Sequence, residues 1–112
     1  MKISVVVCVR NEEKRIRGCL EAVYQNKPYE VILVDGSSTD NTVVIAREFP
    51  DIIVIKSNNS NLTRDRQLGI DAAKNELVAM IDADHRLLPN DIKSLFNDMC
   101  EFNFDIVWIN SK

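Results

Sequence analysis

Two aspartates, Asp82 and Asp84, follow directly on the apolar run Leu77-Val78-Ala79-Met80-Ile81. A buried strand of that composition ends by presenting a carboxylate pair at its carboxyl edge, which is where open α/β sheets bind ligands. A second apolar run, Val31-Ile32-Leu33-Val34, ends the same way in Asp35 and enters the turn Gly36-Ser37-Ser38. Two acidic strand ends make one acidic pocket, and hard oxygen ligands of this kind suit Mg²⁺ or Mn²⁺ holding a diphosphate. For Asp35 alone a turn cap is the simpler alternative. A structural motif has no need of two carboxylates after a buried strand, so the Asp82 and Asp84 pair points to chemistry.

Elements able to position these groups run along the whole chain. Apolar blocks bounded by turn residues alternate with segments of helical period, the mark of repeated βαβ units and a mostly parallel sheet. Strands are expected near 3–9, 30–35, 52–56, 76–82 and 104–109, with helices near 11–25, 40–49, 62–74 and 90–101. In the first helix Ile16, Cys19, Leu20 and Val23 recur at helical spacing. Thr39 or Asp40 can cap the second by accepting from backbone N–H groups. Asn75 is placed to close the third in left-handed geometry, and Pro89 sets the start of the fourth. Trp108, among Ile106, Val107 and Ile109, reads as core.

At 112 residues and 46% apolar the chain fits one compact domain with a real core. Lys and Arg total 14 against 17 Asp and Glu, so a net charge of −3 gives no electrostatic reason to expect nucleic acid as a partner. Cys8, Cys19 and Cys100 are odd in number and lack C-x-x-C spacing, which argues against a disulfide framework or zinc site and for reduced thiols in a cytoplasmic setting. The apolar start Ile3 to Val9 is cut short by Arg10-Asn11-Glu12-Glu13, so it reads as a first strand and not as a signal peptide or membrane span.

The glycines are only Gly18, Gly36 and Gly69. No G-x-G-x-x-G follows the first strand and no G-K-[ST] occurs, which disfavours a dinucleotide cofactor or a P-loop nucleotide. A phosphoacceptor receiver needs an acidic pair ending the first strand, where this chain has Val9-Arg10-Asn11.

Four stretches, taken in order, resemble the successive signatures of family 2 glycosyltransferases with the GT-A fold. They are Val5-Val6-Val7-Cys8-Val9-Arg10-Asn11-Glu12-Glu13, Val34-Asp35-Gly36-Ser37-Ser38-Thr39-Asp40-Asn41-Thr42, Asp65-Arg66-Gln67-Leu68-Gly69-Ile70 and the D-x-D triplet Asp82-Ala83-Asp84. The resemblance implies a Rossmann-like nucleotide-binding half, its first strand lying between the second and fourth, so that Asp35 and Asp82 stand about 10 Å apart, two strand spacings. It implies that Val9, Asn11, Glu12, Asp35, Arg66 and Asp82 bind the nucleotide. Asp35 would accept from the base, Asp82 would meet the ribose or a metal-bound water, and Asp84 would bind the Mn²⁺ or Mg²⁺ that bridges the diphosphate. Arg66 matches an arginine near the phosphates, where a guanidinium adds bidentate hydrogen bonds. A solvated helix face is the alternative for Arg66, and an exposed turn is the simpler reading of His85.

The chain departs from the family pattern at several of these positions. Cys8 stands where proline is usual, Arg10 where an aromatic residue often packs against the base, and Gly36 where a second aspartate is frequent. Asp65 and Gln67 flank Arg66 in place of alanine and asparagine. No residue falls at a recognisable catalytic-base position, so none is assigned. The expected function is the donor-binding half of a metal-dependent, inverting glycosyltransferase, with a nucleoside-diphosphate sugar as donor, UDP-sugar favoured, and a hydroxyl acceptor. The acceptor half is expected to lie outside this chain, leaving apolar surface that drives formation of a homo-oligomer. Expected rivals are a non-catalytic nucleotide-sugar-binding module that needs a partner for transfer, and a structural interaction domain. The expected location is cytoplasmic, or at the cytoplasmic face of a membrane.

Overall fold

A computed structural model describes residues 3–58, 61–75 and 77–83, together with the backbone of a strand at 105–108. Eight elements follow in order: β1 (Ser4–Val9), α1 (Ile16–Gln25), β2 (Glu30–Asp35), α2 (Thr42–Ala46), β3 (Ile53–Lys56), α3 (Leu62–Ala72), β4 (Leu77–Asp82) and β5 (Asp105–Trp108). The strands form one sheet in the order β3-β2-β1-β4-β5. The β1–β2, β1–β4 and β2–β3 pairs are parallel, and β5 runs antiparallel to β4. The mostly parallel α/β architecture expected from the apolar blocks is therefore present, with β1 between β2 and β4.

Alternation along β1 explains why its sequence is apolar throughout. Val5, Val7 and Val9 join the core beneath α1 with Ile16, Leu20, Val23 and Leu33. Val6 faces the opposite core with Ile32, Val34, Val78 and Met80, against which Leu68, Ile70 and Ala72 pack from the α3 side. Both faces being covered, a central strand needs no polar face, and Val5, Val6 and Val7 have no exposed surface at all. Gly69 lets α3 lie closely on the sheet. A methyl group there would overlap Val6 Cγ1 and come within 3.3 Å of Val34 Cγ2.

The helices are shorter than periodicity alone predicts, for reasons visible at their ends. α1 begins at Ile16 instead of near residue 11 because Asn11 takes a left-handed φ of 52° and Glu12 O accepts from both Arg15 N and Ile16 N. α2 is a single short stretch, after which Glu48 N and Phe49 N turn back to Ile45 O and Ala46 O. Asp40 does accept from Thr42 N at 3.0 Å, although the residue at the helix boundary is Asn41. α3 ends at Ala72, and Asn75 does not take the left-handed closure expected of it: Ala73 is already extended. Glu30 instead captures the departing chain, its carboxylate accepting from Lys74 N and Ser4 Oγ, while Asn75 Nδ2 donates to Ser4 Oγ at 3.1 Å. The expected helix at 90–101, Pro89, His85, Cys100 and the side chain of Trp108 lie outside the described residues. No helix among the described residues is long and apolar enough to cross a membrane.

Candidate functional site

The register of the three central strands sets the site. Val9 at the end of β1 is level with Asp35 of β2, and Cys8 is level with Asp82 of β4. Both acidic strand ends thus reach the carboxyl edge beside β1, as the apolar-run-then-aspartate pattern predicts.

The two carboxylates nonetheless occupy different environments. Asp35 is 1% exposed, and both of its oxygens lie 3.3 Å from Ser38 N, which donates to them across the turn. Gly36 N closes the same turn by donating to Val9 O at 2.8 Å, and Ser37 supplies its left-handed residue at φ 66°. Asp82, by contrast, has a side chain 56% exposed and, among the described residues, only a loose ion pair, its Oδ1 being 4.0 Å from Arg66 Nη2. A pair this long and this exposed holds little energy, so both partners are free to exchange it for a ligand. Arg66, its side chain 38% exposed, is carried to this edge by α3.

Asn11 and Glu12 stitch the β1–α1 and β2–α2 loops together. Asn11 N donates to Ser38 Oγ at 2.9 Å, and Asn11 Oδ1 accepts from Thr39 N at 2.8 Å. Glu12 N donates to Thr42 Oγ1 at 2.9 Å, and Glu13 N to Asp40 Oδ2 at 3.3 Å. The backbone donors that an earlier helix start would have buried are satisfied in this way by side chains from the neighbouring loop. Asp40 is partly buried, and its hydrogen bond from the Thr42 side chain holds its carboxyl below the usual range.

Beside these loops a cleft of about 170 Å³ is lined by Cys8, Val9, Arg10, Asn61, Leu62 and Asp65. Burial pushes the Cys8 thiol up to about 11, with the charge of Asp65 adding to the effect. Among the described residues, Cys8 and Cys19 are not joined in a disulfide. Asp65 is the site residue that sequence reasoning passed over. It is 7% exposed, and its Oδ1 has no hydrogen-bond partner among the described residues. The signal was present: Asp65, Gly69 and Ala72 share helical spacing, which puts the aspartate on the face of α3 that meets the sheet.

Asp84 lies outside the described residues, among which no group of three or more acidic, histidine or cysteine side chains gathers around a common point. Asp82 alone fits a hard cation: an exposed carboxylate with unused lone pairs at the edge of the sheet.

Comparison with known proteins gives consistent relatives. The chain is 33% identical over 119 residues to the dodecaprenyl-phosphate galacturonate synthase of Rhizobium johnstonii, covering 96% of this chain and 35% of that protein. Among solved structures it superposes on residues 1–349 of TarS from Staphylococcus aureus with a TM-score of 0.78 at 25% identity, covering 87% of this chain and 32% of that one. It superposes on the mannosyltransferase PcManGT of Pyrobaculum calidifontis, solved with GDP-Man and Mn²⁺, with a TM-score of 0.71 at 26% identity, covering 79% and 28% respectively. The chain spans about a third or less of the length of the curated relatives it matches. A match to the family model over residues 4–112 shows that the chain belongs to glycosyl transferase family 2.

Proposed function

We propose that the chain binds a nucleoside-diphosphate sugar as the donor part of a metal-dependent glycosyltransferase. One observation carries this reading: the carboxyl edge of the sheet presents Asp82, exposed and only loosely paired, within 4.0 Å of the Arg66 guanidinium. An anion with a bound cation can be divided between them, the arginine taking phosphate oxygens and the carboxylate taking the cation. Asp82 and Asp84 are the residues that would hold Mn²⁺ or Mg²⁺, which supplies positive charge where the departing diphosphate accumulates negative charge. Val9, Asn11, Glu12 and Asp35 form the nucleotide side of the edge, Asp35 accepting from the base while it holds the turn at Gly36 through Ser38 N, and Asn11 tying that turn to the first loop.

In the finer reading the donor is a UDP-sugar, and an acceptor hydroxyl attacks the anomeric carbon with inversion. The protein acts in the cytoplasm or at the cytoplasmic face of a membrane, and associates with itself. PcManGT, with GDP-Man and Mn²⁺ bound on a similar scaffold, supports the donor class and the divalent cation.

Calorimetric titration of UDP and GDP with and without Mn²⁺ tests the assignment. Asp84→Asn is expected to abolish the Mn²⁺-dependent part of binding with the circular dichroism spectrum unchanged. Equal nucleotide affinity in the wild type and in Asp84→Asn would overturn it.

A further inference from the structure

β3 stands at the outer edge of the sheet, and its one strand neighbour among the described residues is β2, to which it is parallel. Alternate residues of a strand turn their backbone groups to opposite sides. Ser57 N donates to Asp35 O at 2.8 Å, so in the same alternation Ile53 and Ile55 direct their groups to β2, and Val54 and Lys56 direct theirs outward. Sheet edges are ordinarily blunted by proline, a bulge or a charge within the strand. Here the register with β2 is unbroken, and Ile52, Ile53, Val54 and Ile55 follow one another without a polar residue, each of them half-buried. Ile53 and Ile55 pack against the core on the α3 side, and Ile52 and Val54 against the core on the α1 side. Both layers of the molecule therefore reach this edge unfinished.

The charges at the ends of the run decide what fits against it. Asp51 precedes the four apolar residues and Lys56 follows them; both are exposed, and neither makes an ion pair among the described residues. A strand pairing antiparallel with β3 matches it when it carries a cation at the Asp51 end, an anion at the Lys56 end and apolar residues between. β3 itself, run in the opposite direction, meets that requirement. A parallel copy would bring like charges together.

We propose that β3 is the self-association surface of this protein: two copies pair edge to edge, antiparallel about a two-fold axis at Val54, and form one continuous sheet. Residues opposite each other across such a pair share a face. Ile53 of each copy then meets Ile55 of the other on the α3 side, carrying that core across the junction, and Lys56 of each comes beside Asp51 of the other. The outward N–H and C=O groups of Val54 and Lys56 gain partners. A contact of this isologous kind closes on itself, so assembly through it stops at the dimer. The inference rests on the self-association stated under the proposed function and adds its surface and geometry; it is independent of the donor.

Sedimentation velocity of the 112-residue chain over a concentration series provides the test. The wild type is expected to show a reversible monomer–dimer equilibrium. Lys56→Glu should weaken the dimer at least about fivefold, because each dimer holds two such junctions and both become like-charged. Asp51→Lys should do the same; Asp51 has a left-handed φ of 57°, a conformation Lys27 already adopts at 51°. The exchanged variant Asp51→Lys/Lys56→Glu restores opposite charges and should return to within about twofold of the wild type. Val54→Pro removes an outward N–H and no hydrogen bond to β2, so it should be monomeric at concentrations where the wild type is a dimer, with its circular dichroism spectrum retained. The charge exchange decides the matter whether or not Val54→Pro folds. A dimer unmoved by either single charge variant, or weakened as much by the exchange as by the single changes, would place the contact elsewhere and overturn this proposal alone. Open-ended assembly beyond the dimer would overturn it as well. A strict monomer at every concentration would overturn it together with the self-association reading.

Discussion

The ends of β2 and β4 carry the same local pattern, an apolar run closed by aspartate, and flank the same strand at nearly the same level. Asp35 is nevertheless enclosed, with its oxygens given over to the backbone of its own turn, whereas the Asp82 side chain is 56% exposed and keeps only a 4.0 Å pair with Arg66. The difference follows from what covers each end. The β2 turn is roofed by the loop that Asn11 and Glu12 stitch to it, and a carboxylate there can survive only by accepting from backbone. At β4 the carboxylate pairs, among the described residues, with Arg66 of α3 at 4.0 Å, and more than half of its side chain stays open. Identical strand-end aspartates are thus divided between an enclosed turn and an open edge.

Truncating the two carboxylates should separate these roles most strongly. Asp35→Ala removes the acceptor for a part-buried turn N–H and is expected to lower the unfolding free energy by about 1.5–3 kcal/mol, the range for a hydrogen bond to a charged group. Asp82→Ala, at an exposed position, should stay within about 0.5 kcal/mol of wild type. Urea denaturation of both variants reads the contrast directly. Equal destabilisation would show that Asp82 also belongs to the scaffold.

A second intervention acts on only one side of the comparison. Gly69→Ala places a methyl group against Val6 and Val34 under α3, the helix that carries Arg66 towards Asp82. Overpacking costs about 1–3 kcal/mol, and about 1 kcal/mol returns through helix propensity. The net expectation is a loss of roughly 0–2 kcal/mol, accompanied by weaker Mn²⁺-pyrophosphate binding as Arg66 shifts. The Asp35 turn, held by hydrogen bonds from other loops, should keep its amide hydrogen-exchange protection at Ser38. Loss of that protection in Gly69→Ala would mean that the two strand ends are coupled through the sheet.

Much of this was legible before any coordinates, because period and strand-end chemistry are local properties. The five strands fall within a residue or so of where the apolar blocks place them, and β1 lies between β2 and β4 as the resemblance implies. The helix starts were not legible. Residues 11–15, four of them charged, satisfy helical propensity as well as those that follow, and only the side chains of Ser38, Asp40 and Thr42, arriving from about 30 residues away, divert their backbone N–H groups. Nor could sequence distinguish Asp35 from Asp82, since burial at a strand end is decided by the loop that crosses it. Asp65 could have been found: an acid in register with Gly69 and Ala72 on a sheet-facing helix stripe is a local contradiction, and such contradictions mark sites.

The smallest expected effect concerns Cys8, the residue level with Asp82. Burial first, and then the neighbouring Asp65 charge, raise this thiol from 9.0 to about 11. The folded chain therefore resists forming the thiolate more than the unfolded chain does. That stabilisation is complete below about pH 9 and is lost as pH rises through about 11, because the unfolded thiol ionises first. Tyrosines and lysines titrate in the same range, so the measurement is a difference: melting temperature from pH 8 to 11 for the wild type and Cys8→Ser. The wild type should lose slightly more than the variant above pH 9. Site-resolved alkylation by iodoacetamide at pH 8.5 should also be slow at Cys8 in the folded chain and fast in urea. Adding Asp65→Asn should speed the folded reaction, since it removes one of the charges opposing the thiolate. An unchanged rate would place Asp65 too far from Cys8 to share its cleft, and would weaken the contrast between an enclosed β2 end and an open β4 end at the one residue that lies between them.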